Sequence, residues 1–248
     1  MHAEPSEWAS PEHASAYLAR QDRIPHRAEG EAALREFLPE TVGRALDLGT
    51  GDGRLLSMVL SVSPRARAIG LDMSPPMLEA ARARFAGDPR VQIVEHDLND
   101  PLPPFGGFGA IVSSFAIHHC SDDRKRSLYE ECFDRLVPGG VLLNLEHVSS
   151  PSERLQDQFL AAVGMTRAEE DRSNVLLDAW TQVRWLEELG FVDADCYWKW
   201  REFALLGGIR PLKAPPAVPS SGHGPFVENA GRAPDPRRDE HRGVSGSS

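Results

Sequence analysis

Three glycines at alternate positions follow an acidic residue after a short apolar run. Asp47 lies near the end of the short run 44–48, and Gly49, Gly51 and Gly53 follow it before an amphipathic run begins. Glycines at this spacing let the backbone adopt positive φ and approach a ligand without a Cβ in the way. The first N–H groups of a following helix would point at the same place. The stretch therefore predicts a strand, a tight turn and a helix that bind a nucleotide-type ligand.

The glycine spacing and the acid restrict the class of ligand. A dinucleotide fingerprint, G-x-G-x-x-G, would place its third glycine where Arg54 stands, whereas Gly53 comes one residue early. No Lys-Ser/Thr pair follows the loop, which excludes a Walker-type phosphate site. Asp47 would repel a pyrophosphate and attract a cationic group such as an α-ammonium. Another Rossmann-like cofactor remains open at this point.

Two further acids follow the next two predicted strands. Asp72 ends the strand predicted over 66–71, and Asp97 follows the strand predicted over 90–95. An acid about twenty residues after a glycine loop accepts hydrogen bonds from ribose hydroxyls. Because the carboxyl ends of parallel strands meet at one edge of a sheet, we expect these acids to lie over one crevice.

Histidines follow the two later parallel strands. His118 and His119 come after the apolar strand predicted over 108–114, and Glu146-His147 ends the strand predicted over 141–145. Either imidazole of the first pair suits a general base at neutral pH. The alternative is that one of them packs or caps the following helix. Glu146 and His147 either reach the substrate or support other residues from behind.

The remaining elements must position these residues. Helices are predicted after Pro11 and over 28–38, 55–62, 75–86, 122–137, 151–163 and 175–189. Strands over 191–200 and 202–206 are joined almost directly, so we expect an antiparallel pair. Strands that alternate with helices predict a parallel sheet covered on both faces. From Pro211 onward few apolar residues occur, which predicts a disordered tail.

Composition bounds the function class. The 248 residues carry a formal net charge of −10 with no dense basic block in the central domain, which argues against a large nucleic-acid footprint. The three cysteines form no C-x-x-C pair, and the histidines show no metal-ligand spacing, so neither a disulfide framework nor a metal site is expected. The sequence shows no signal pattern and no apolar run of membrane-spanning length, which predicts a cytoplasmic protein.

These motifs, together with Leu136-Val137-Pro138-Gly139-Gly140 before the fifth strand, resemble the class I S-adenosylmethionine-dependent methyltransferases over about residues 43–207. The resemblance implies an α/β fold, a Rossmann-like seven-stranded sheet of order 3-2-1-4-5-7-6 with the last strand antiparallel and helices on both faces. It also implies an N-terminal helical cap over 1–40 and an S-adenosylmethionine-binding domain over 41–208, and the composition predicts a disordered Pro/Gly/Ser-rich tail over 209–248.

The resemblance further implies the role of each candidate residue. Asp47 and the loop of Gly49, Thr50, Gly51 and Gly53 are expected to bind the methionine end of S-adenosylmethionine. Its carboxylate is expected to contact Arg27 or Tyr17. The ribose falls to Asp72, and the adenine to Met73, Asp97 and Leu98. Ser113 and Phe115 are expected to line the wall near the transferred methyl group, and His118 and His119 are the candidate catalytic residues.

The predicted reaction moves a methyl group from S-adenosylmethionine to a small-molecule acceptor and leaves S-adenosylhomocysteine. One alternative resembles the carboxy-S-adenosylmethionine synthases of tRNA modification, which share Ile24-Pro25 and the Pro-Gly-Gly-Val-x-Leu-Asn strand. Those enzymes transfer a carboxyl group onto S-adenosylmethionine and hold it with arginines, for which only Arg27 or Arg201 is available here. A third alternative is a non-catalytic S-adenosylmethionine-binding protein, and a nicotinamide oxidoreductase is the weakest rival. The oligomeric state is left open.

Overall fold

The computed structural model describes residues 24–212. The helix predicted after Pro11, with Tyr17, and nearly all of the predicted tail lie outside these residues. The following description therefore concerns the sheet, its helices and the loops between them.

Seven strands form one sheet of order β3-β2-β1-β4-β5-β7-β6, as predicted. Strands β1 to β5 are parallel, and β7 runs antiparallel to both β5 and β6. The inner strands are almost continuously apolar because helices cover them on both faces. The strand bounds are Arg44–Leu48, Arg67–Asp72, Val91–Glu95, Phe108–Ser114, Leu136–His147, Val192–Trp200 and Phe203–Ile209.

Six α-helices, numbered here α1 to α6, connect or cover the strands within residues 24–212. Alternate residues of the strands feed two apolar cores, one on each face of the sheet. Helices α4 and α6 contribute to one core, and α1 and α2 contribute to the other. No helix in the described part of the chain is long and apolar enough to cross a membrane. The helix bounds are Arg27–Phe37, Arg54–Val62, Pro75–Arg84, Asp122–Arg135, Glu153–Ala162 and Ala179–Leu189.

The starts of β5 and α6 differ most from the sequence prediction, and the other boundaries shift by three residues or fewer. β5 begins at Leu136 because Pro138-Gly139-Gly140 continues the strand instead of forming a separate loop. α6 begins at Ala179, not at Val175, because Asp178 caps it: its side chain accepts a hydrogen bond from the N–H of Thr181 at 2.9 Å. The segment before α6 therefore stays outside the helix and lies near the carboxyl ends of the strands, where the N–H of Val175 donates to the carbonyl of His118.

Candidate functional site

The glycine loop bends tightly between β1 and α2. Gly49 and Gly51 have φ of 71° and 54°, in the region that favours glycine. A Cβ at Gly49 would lie 2.2 Å from the Cβ of Ala116, so this backbone packs directly against the segment after β4. A Cβ at Gly51 would meet only the Met77 Sδ, at 4.0 Å. Gly51 therefore presents bare backbone to the space in front of it.

That space is a cavity of about 260 Å³ at the carboxyl ends of β1 to β4, here called the cofactor cavity. Asp72 is fixed at its edge, since one carboxylate oxygen accepts the N–H of Gly51 and the other the N–H of Ser74, both at 2.8 Å. Burial raises the pKa of Asp72, and these hydrogen bonds oppose the rise. The candidate residues that line the cavity are Arg27, Gly49, Thr50, Gly51, Asp72, Met73, Asp97, Leu98, Phe115 and His119.

Asp47 lies beneath the loop and is fully buried. Its Oδ2 accepts a hydrogen bond from the Thr50 hydroxyl at 2.7 Å, and its Oδ1 has no partner among residues 24–212. Burial raises the pKa of Asp47 to about 7, with Asp72 and Asp52 adding to the rise and the Thr50 hydrogen bond opposing it. A cationic group near the loop would therefore stabilise the ionised form of Asp47, whose Oδ1 has no partner within the described residues.

Four candidate residues lie outside the lining of this cavity: Asp47 beneath the loop, Ser113, Gly53 and His118. Ser113 is fully buried and donates its hydroxyl to the carbonyl of Leu48 at 2.8 Å, whereas its neighbour Ser114 lines the cavity. Gly53 begins α2, where a Cβ would lie 2.5 Å from the ring of Phe85. His118 faces a second cavity.

The donors and acceptors around the cofactor cavity fit S-adenosylmethionine. Five buried side-chain polar atoms lack a partner within the described residues, and three of them lie in or beneath the cavity lining: Asp47 Oδ1, His96 Nε2 and Ser114 Oγ. His96 and Ser114 line the cavity, at the ends of β3 and β4. A nucleoside with an ammonium group supplies donors and acceptors for such atoms, and buried polar groups in proteins are normally paired. The bare backbone of Gly51 and the fixed carboxylate of Asp72 add to this fit.

A second cavity of about 330 Å³, here called the acceptor cavity, adjoins the first. Phe115 and His119 line both, so they form the boundary between them. The acceptor cavity has mainly apolar walls, which come from the start of the described chain, α5 and β7; these residues are Ile24, Pro25, Phe159, Leu160, Val163, Met165 and Phe203. Its polar side chains lie at the ends of the strands and on the segment before α6.

His118 enters the acceptor cavity from the 3₁₀ turn Ile117–His119 and is backed by a buried carboxylate. Its Nδ1 lies 2.6 Å from Oε1 of Glu146, which is fully buried at the end of β5. Burial alone would raise the pKa of Glu146, but the charge and hydrogen bond of His118, with Asn144 and the His147 N–H, outweigh burial and hold that pKa below its usual value. In the neutral ring, Nδ1–H therefore donates to Glu146 and Nε2 carries the lone pair.

His119 is held differently. Its Nδ1 lies 2.9 Å from the Ser173 hydroxyl, which donates to Asp171 at 2.7 Å. Burial, with the charge of His118, lowers the pKa of His119 to about 3. This imidazole is therefore neutral at neutral pH and a poor proton acceptor.

A further histidine–glutamate pair escaped the sequence reasoning. His147 lines the acceptor cavity, and its Nε2 lies 3.0 Å from Oε2 of Glu202, which is 1% exposed. The signal that would have found Glu202 is the register of β5 with β7, in which His147 lies opposite Phe203. Within residues 24–212, no group of three His, Cys, Asp or Glu side chains is arranged to hold a metal ion.

Comparison with known proteins gives a consistent result. A family model described as a methyltransferase domain matches residues 45–140. The chain is 29% identical over 179 residues to a demethylmenaquinone methyltransferase of Clavibacter sepedonicus, covering 66% of this chain and 71% of that protein. It is 36% identical over 109 residues to the enzyme of the same name from Thermus thermophilus, covering 44% of this chain and about half of that protein, 49%. A carboxy-S-adenosyl-L-methionine synthase of Wolinella succinogenes is 28% identical, covering 67% of this chain and 76% of that protein.

Solved structures show the same fold. An O-methyltransferase family protein from Burkholderia thailandensis superimposes with a TM-score of 0.66 at 18% identity, covering 83% of this chain and 62% of that one. Human N-acetylserotonin methyltransferase, solved in complex with S-adenosylmethionine, gives a TM-score of 0.61 at 17% identity, covering 84% of this chain and 60% of that one. At these identities the likeness concerns the fold, in which the cofactor cavity lies at the carboxyl edge of the sheet.

Proposed function

We propose that this chain, a class I S-adenosylmethionine-dependent methyltransferase, methylates a hydroxyl group of a small, mainly apolar acceptor. S-adenosylmethionine supplies the methyl group already activated on a sulfonium. The protein has to hold donor and acceptor in line, keep water away and take up the proton that the acceptor loses.

The cofactor cavity supports the donor role. We propose that Asp47 and the Gly49–Gly53 loop hold the methionine end, with Asp47 facing the ammonium group. Asp72 then holds the ribose, and Asp97 with Leu98 the adenine. Arg27 lines the cavity 5.5 Å above the ring of Phe115 and forms an ion pair with Glu31 at 2.9 Å. This position suits contact with the cofactor carboxylate.

The observation that carries the proposal is the His118–Glu146 pair in the wall of the acceptor cavity. Glu146 orients the ring and stabilises its protonated form, so Nε2 can accept a proton. Among residues 24–212 this nitrogen has no hydrogen-bonding partner. In the proposed step the acceptor oxygen gains the methyl group and its proton passes to Nε2 of His118. Burial lowers the pKa of His119 and favours its neutral form, and its Nδ1 faces the Ser173 hydroxyl rather than a carboxylate, so we assign His119 to the wall of the site and the base to His118.

The size and lining of the acceptor cavity favour a small molecule. A volume of about 330 Å³ lies at the lower end of small-molecule sites. Phe115, Phe159 and Phe203 pack edge to face around it, with ring centroids 4.9 and 5.1 Å apart. Such walls select an apolar or aromatic frame over a polymer segment.

The test is methyl transfer from S-adenosylmethionine labelled in the methyl group, with a panel of phenols, alcohols, amines and carboxylic acids. We expect transfer to a hydroxyl compound and a fall in kcat of about 10²–10⁴-fold in His118→Asn and in Glu146→Gln. Affinity for S-adenosylhomocysteine, measured by calorimetry, should change little in either variant. His119→Asn is the matched control, and its kcat should fall much less.

Two outcomes would contradict the proposal. Absence of S-adenosylhomocysteine binding would remove the cofactor assignment. Transfer to a carboxylate or an amine with unchanged kcat in His118→Asn would contradict the assignment of His118 as the base. If the cofactor binds but no acceptor in any class is methylated, the result would favour a non-catalytic S-adenosylmethionine-binding protein.

The carboxy-S-adenosylmethionine synthase alternative rests on the similarity to the Wolinella enzyme. In that reaction an arginine would have to hold the new carboxylate. Arg201 lies at the turn between β6 and β7, over the ring of Trp200 at 5.6 Å, and lines neither cavity. Arg27 and Arg54 line the cofactor cavity, and both form ion pairs with Glu31. Mass spectrometry of the nucleoside product distinguishes the two reactions, because only a synthase leaves a nucleoside heavier than S-adenosylmethionine.

A further inference from the structure

We propose that the His147–Glu202 pair is a second recognition point for the acceptor, and that the acceptor carries two hydrogen-bond donors on an apolar frame, as a dihydroxyarene does. The inference rests on the proposed function, since it takes the acceptor cavity as the site of the methyl acceptor. It assigns that cavity a substrate class and a specificity-determining residue.

The two histidine–glutamate pairs line the same cavity. The rings of His118 and His147 have centroids 5.7 Å apart. Glu146 links them, because its Oε1 accepts both Nδ1–H of His118 and the backbone N–H of His147, the latter at 2.9 Å. The spacing of the two rings is therefore fixed by the end of β5 rather than by flexible side chains.

The buried carboxylates determine which nitrogen each ring offers to a ligand. Glu202 takes Nε2–H of His147, and its other oxygen accepts the hydroxyl of Ser150. Glu146 takes Nδ1–H of His118. In the neutral imidazoles this leaves Nδ1 of His147 and Nε2 of His118 as acceptors. Neither nitrogen has a hydrogen-bonding partner within residues 24–212. Two unpartnered acceptors in one cavity call for a ligand with two donors.

The surroundings of His147 favour a ligand over a purely structural role. Its ring packs against Phe159 and Phe203, with centroids 5.3 and 5.7 Å away. The His147 side chain is partly exposed and lines the acceptor cavity, so a donor on a ligand can reach the nitrogen that Glu202 does not hold. Here one nitrogen is oriented by a carboxylate and the other remains for the cavity. The aromatic wall beside it suits a flat ring.

The experiment compares diols with matched mono-ols. Calorimetry on the full chain saturated with S-adenosylhomocysteine, without oxygen, measures binding of 1-naphthol and of 1,2- and 1,4-dihydroxynaphthalene. We expect at least one diol to bind about tenfold more tightly than 1-naphthol, the effect of one extra hydrogen bond in a site that leaves its acceptor unpaired otherwise. In His147→Phe the preference should disappear, while affinity for 1-naphthol and for S-adenosylhomocysteine stays unchanged.

Two further variants separate recognition from packing. His147→Asn places an acceptor oxygen near the position of Nδ1 and should restore part of the diol preference if His147→Phe lowers stability. His26→Phe is the matched control: His26 also pairs with a glutamate, Glu29 at 2.7 Å, but that pair is exposed and lines neither cavity. We expect this variant to keep the full preference.

The inference is overturned if diol and mono-ol bind equally to the wild type, if the preference survives His147→Phe, or if no hydroxyarene binds to the loaded protein. These results are distinct from failure of the proposed function. That failure would show as absent S-adenosylhomocysteine binding, or as methyl transfer that does not depend on His118.

Discussion

The cofactor cavity and the acceptor cavity treat buried charge in opposite ways. Asp47 is buried with an unpartnered oxygen, and burial raises its pKa to about 7. Glu146 is equally buried, but His118 and three hydrogen bonds hold its pKa below its usual value. In the proposed function the cationic group of the ligand completes the first site, whereas the buried carboxylate of the second already has a partner within the protein. We therefore propose that the first site is arranged to bind a ligand and the second to orient His118.

The largest expected effect breaks the cofactor side alone. Gly49→Ala combines a strained positive φ with a Cβ 2.2 Å from Ala116, so S-adenosylhomocysteine affinity should fall at least about a hundredfold. Gly87→Ala is the matched control, since Gly87 has φ of 80° and no atom within 4 Å of the added Cβ. This control measures the loss of stability that a positive φ alone causes when alanine replaces glycine. Adding Ala116→Gly to Gly49→Ala should recover part of the affinity, and recovery of none would mean that φ alone matters.

A smaller effect is expected at Asp72, whose carboxylate is fixed by two backbone N–H groups. Asp72→Asn keeps the size but removes the charge and one acceptor, so affinity for S-adenosylhomocysteine should fall about tenfold to a hundredfold. Binding of a hydroxyarene to the acceptor cavity should change much less. Calorimetry with both ligands checks the prediction. Equal losses at both cavities would contradict the separation drawn between them.

The sequence predicted the cofactor side better than the acceptor side, because the former is local. Asp72 ends and Asp97 follows a strand that its own apolar pattern reveals, so the parallel order brings both to one cavity, whereas Asp47 lies inside β1 beneath the glycine loop. The ends of strands were less certain: the pattern did not distinguish Ser113, which bonds the neighbouring strand, from Ser114, which lines the cavity.

The acceptor side depends on pairings between distant residues. His147 and Glu202 meet only through the antiparallel register of β5 with β7, which no local pattern specifies. Glu146 and His147 were open to two interpretations until their partners were visible. The start of α6 was predicted too early because apolar residues already occur before Asp178, at 175–177. The helix begins only after Asp178, because this residue caps it.

The raised pKa of Asp47 gives a prediction in pH. Because an ammonium group favours the ionised acid, S-adenosylhomocysteine affinity should rise about tenfold between pH 6 and 7.5, with proton release near neutrality. Asp47→Asn should show a flatter profile. The sign for stability is opposite: the folded-state pKa exceeds the unfolded value, so the ligand-free protein loses stability as pH rises from about 4 through 7. Asp47→Asn should lose less over that range, which thermal unfolding at several pH values measures.

The smallest expected effect tests whether the acceptor side is held from behind. Glu146 accepts a hydrogen bond from Nδ2 of Asn144 at 3.1 Å, and Asn144 also donates to the Tyr129 hydroxyl. That hydroxyl in turn donates to Gln182 on α6 at 2.7 Å. Tyr129→Phe should lower stability by about 1–2 kcal/mol, because buried partners lose their bond.

Tyr129→Phe should also lower kcat a few-fold, with unchanged S-adenosylhomocysteine affinity and a shifted pH profile of kcat. A purely structural tyrosine would move only the stability. Tyr197→Phe removes a hydroxyl that donates to Asp193 away from both cavities, so its kcat and pH profile should match the wild type. If the two variants behave alike in kcat, Glu146 alone orients His118, and the buried network beyond it serves only packing.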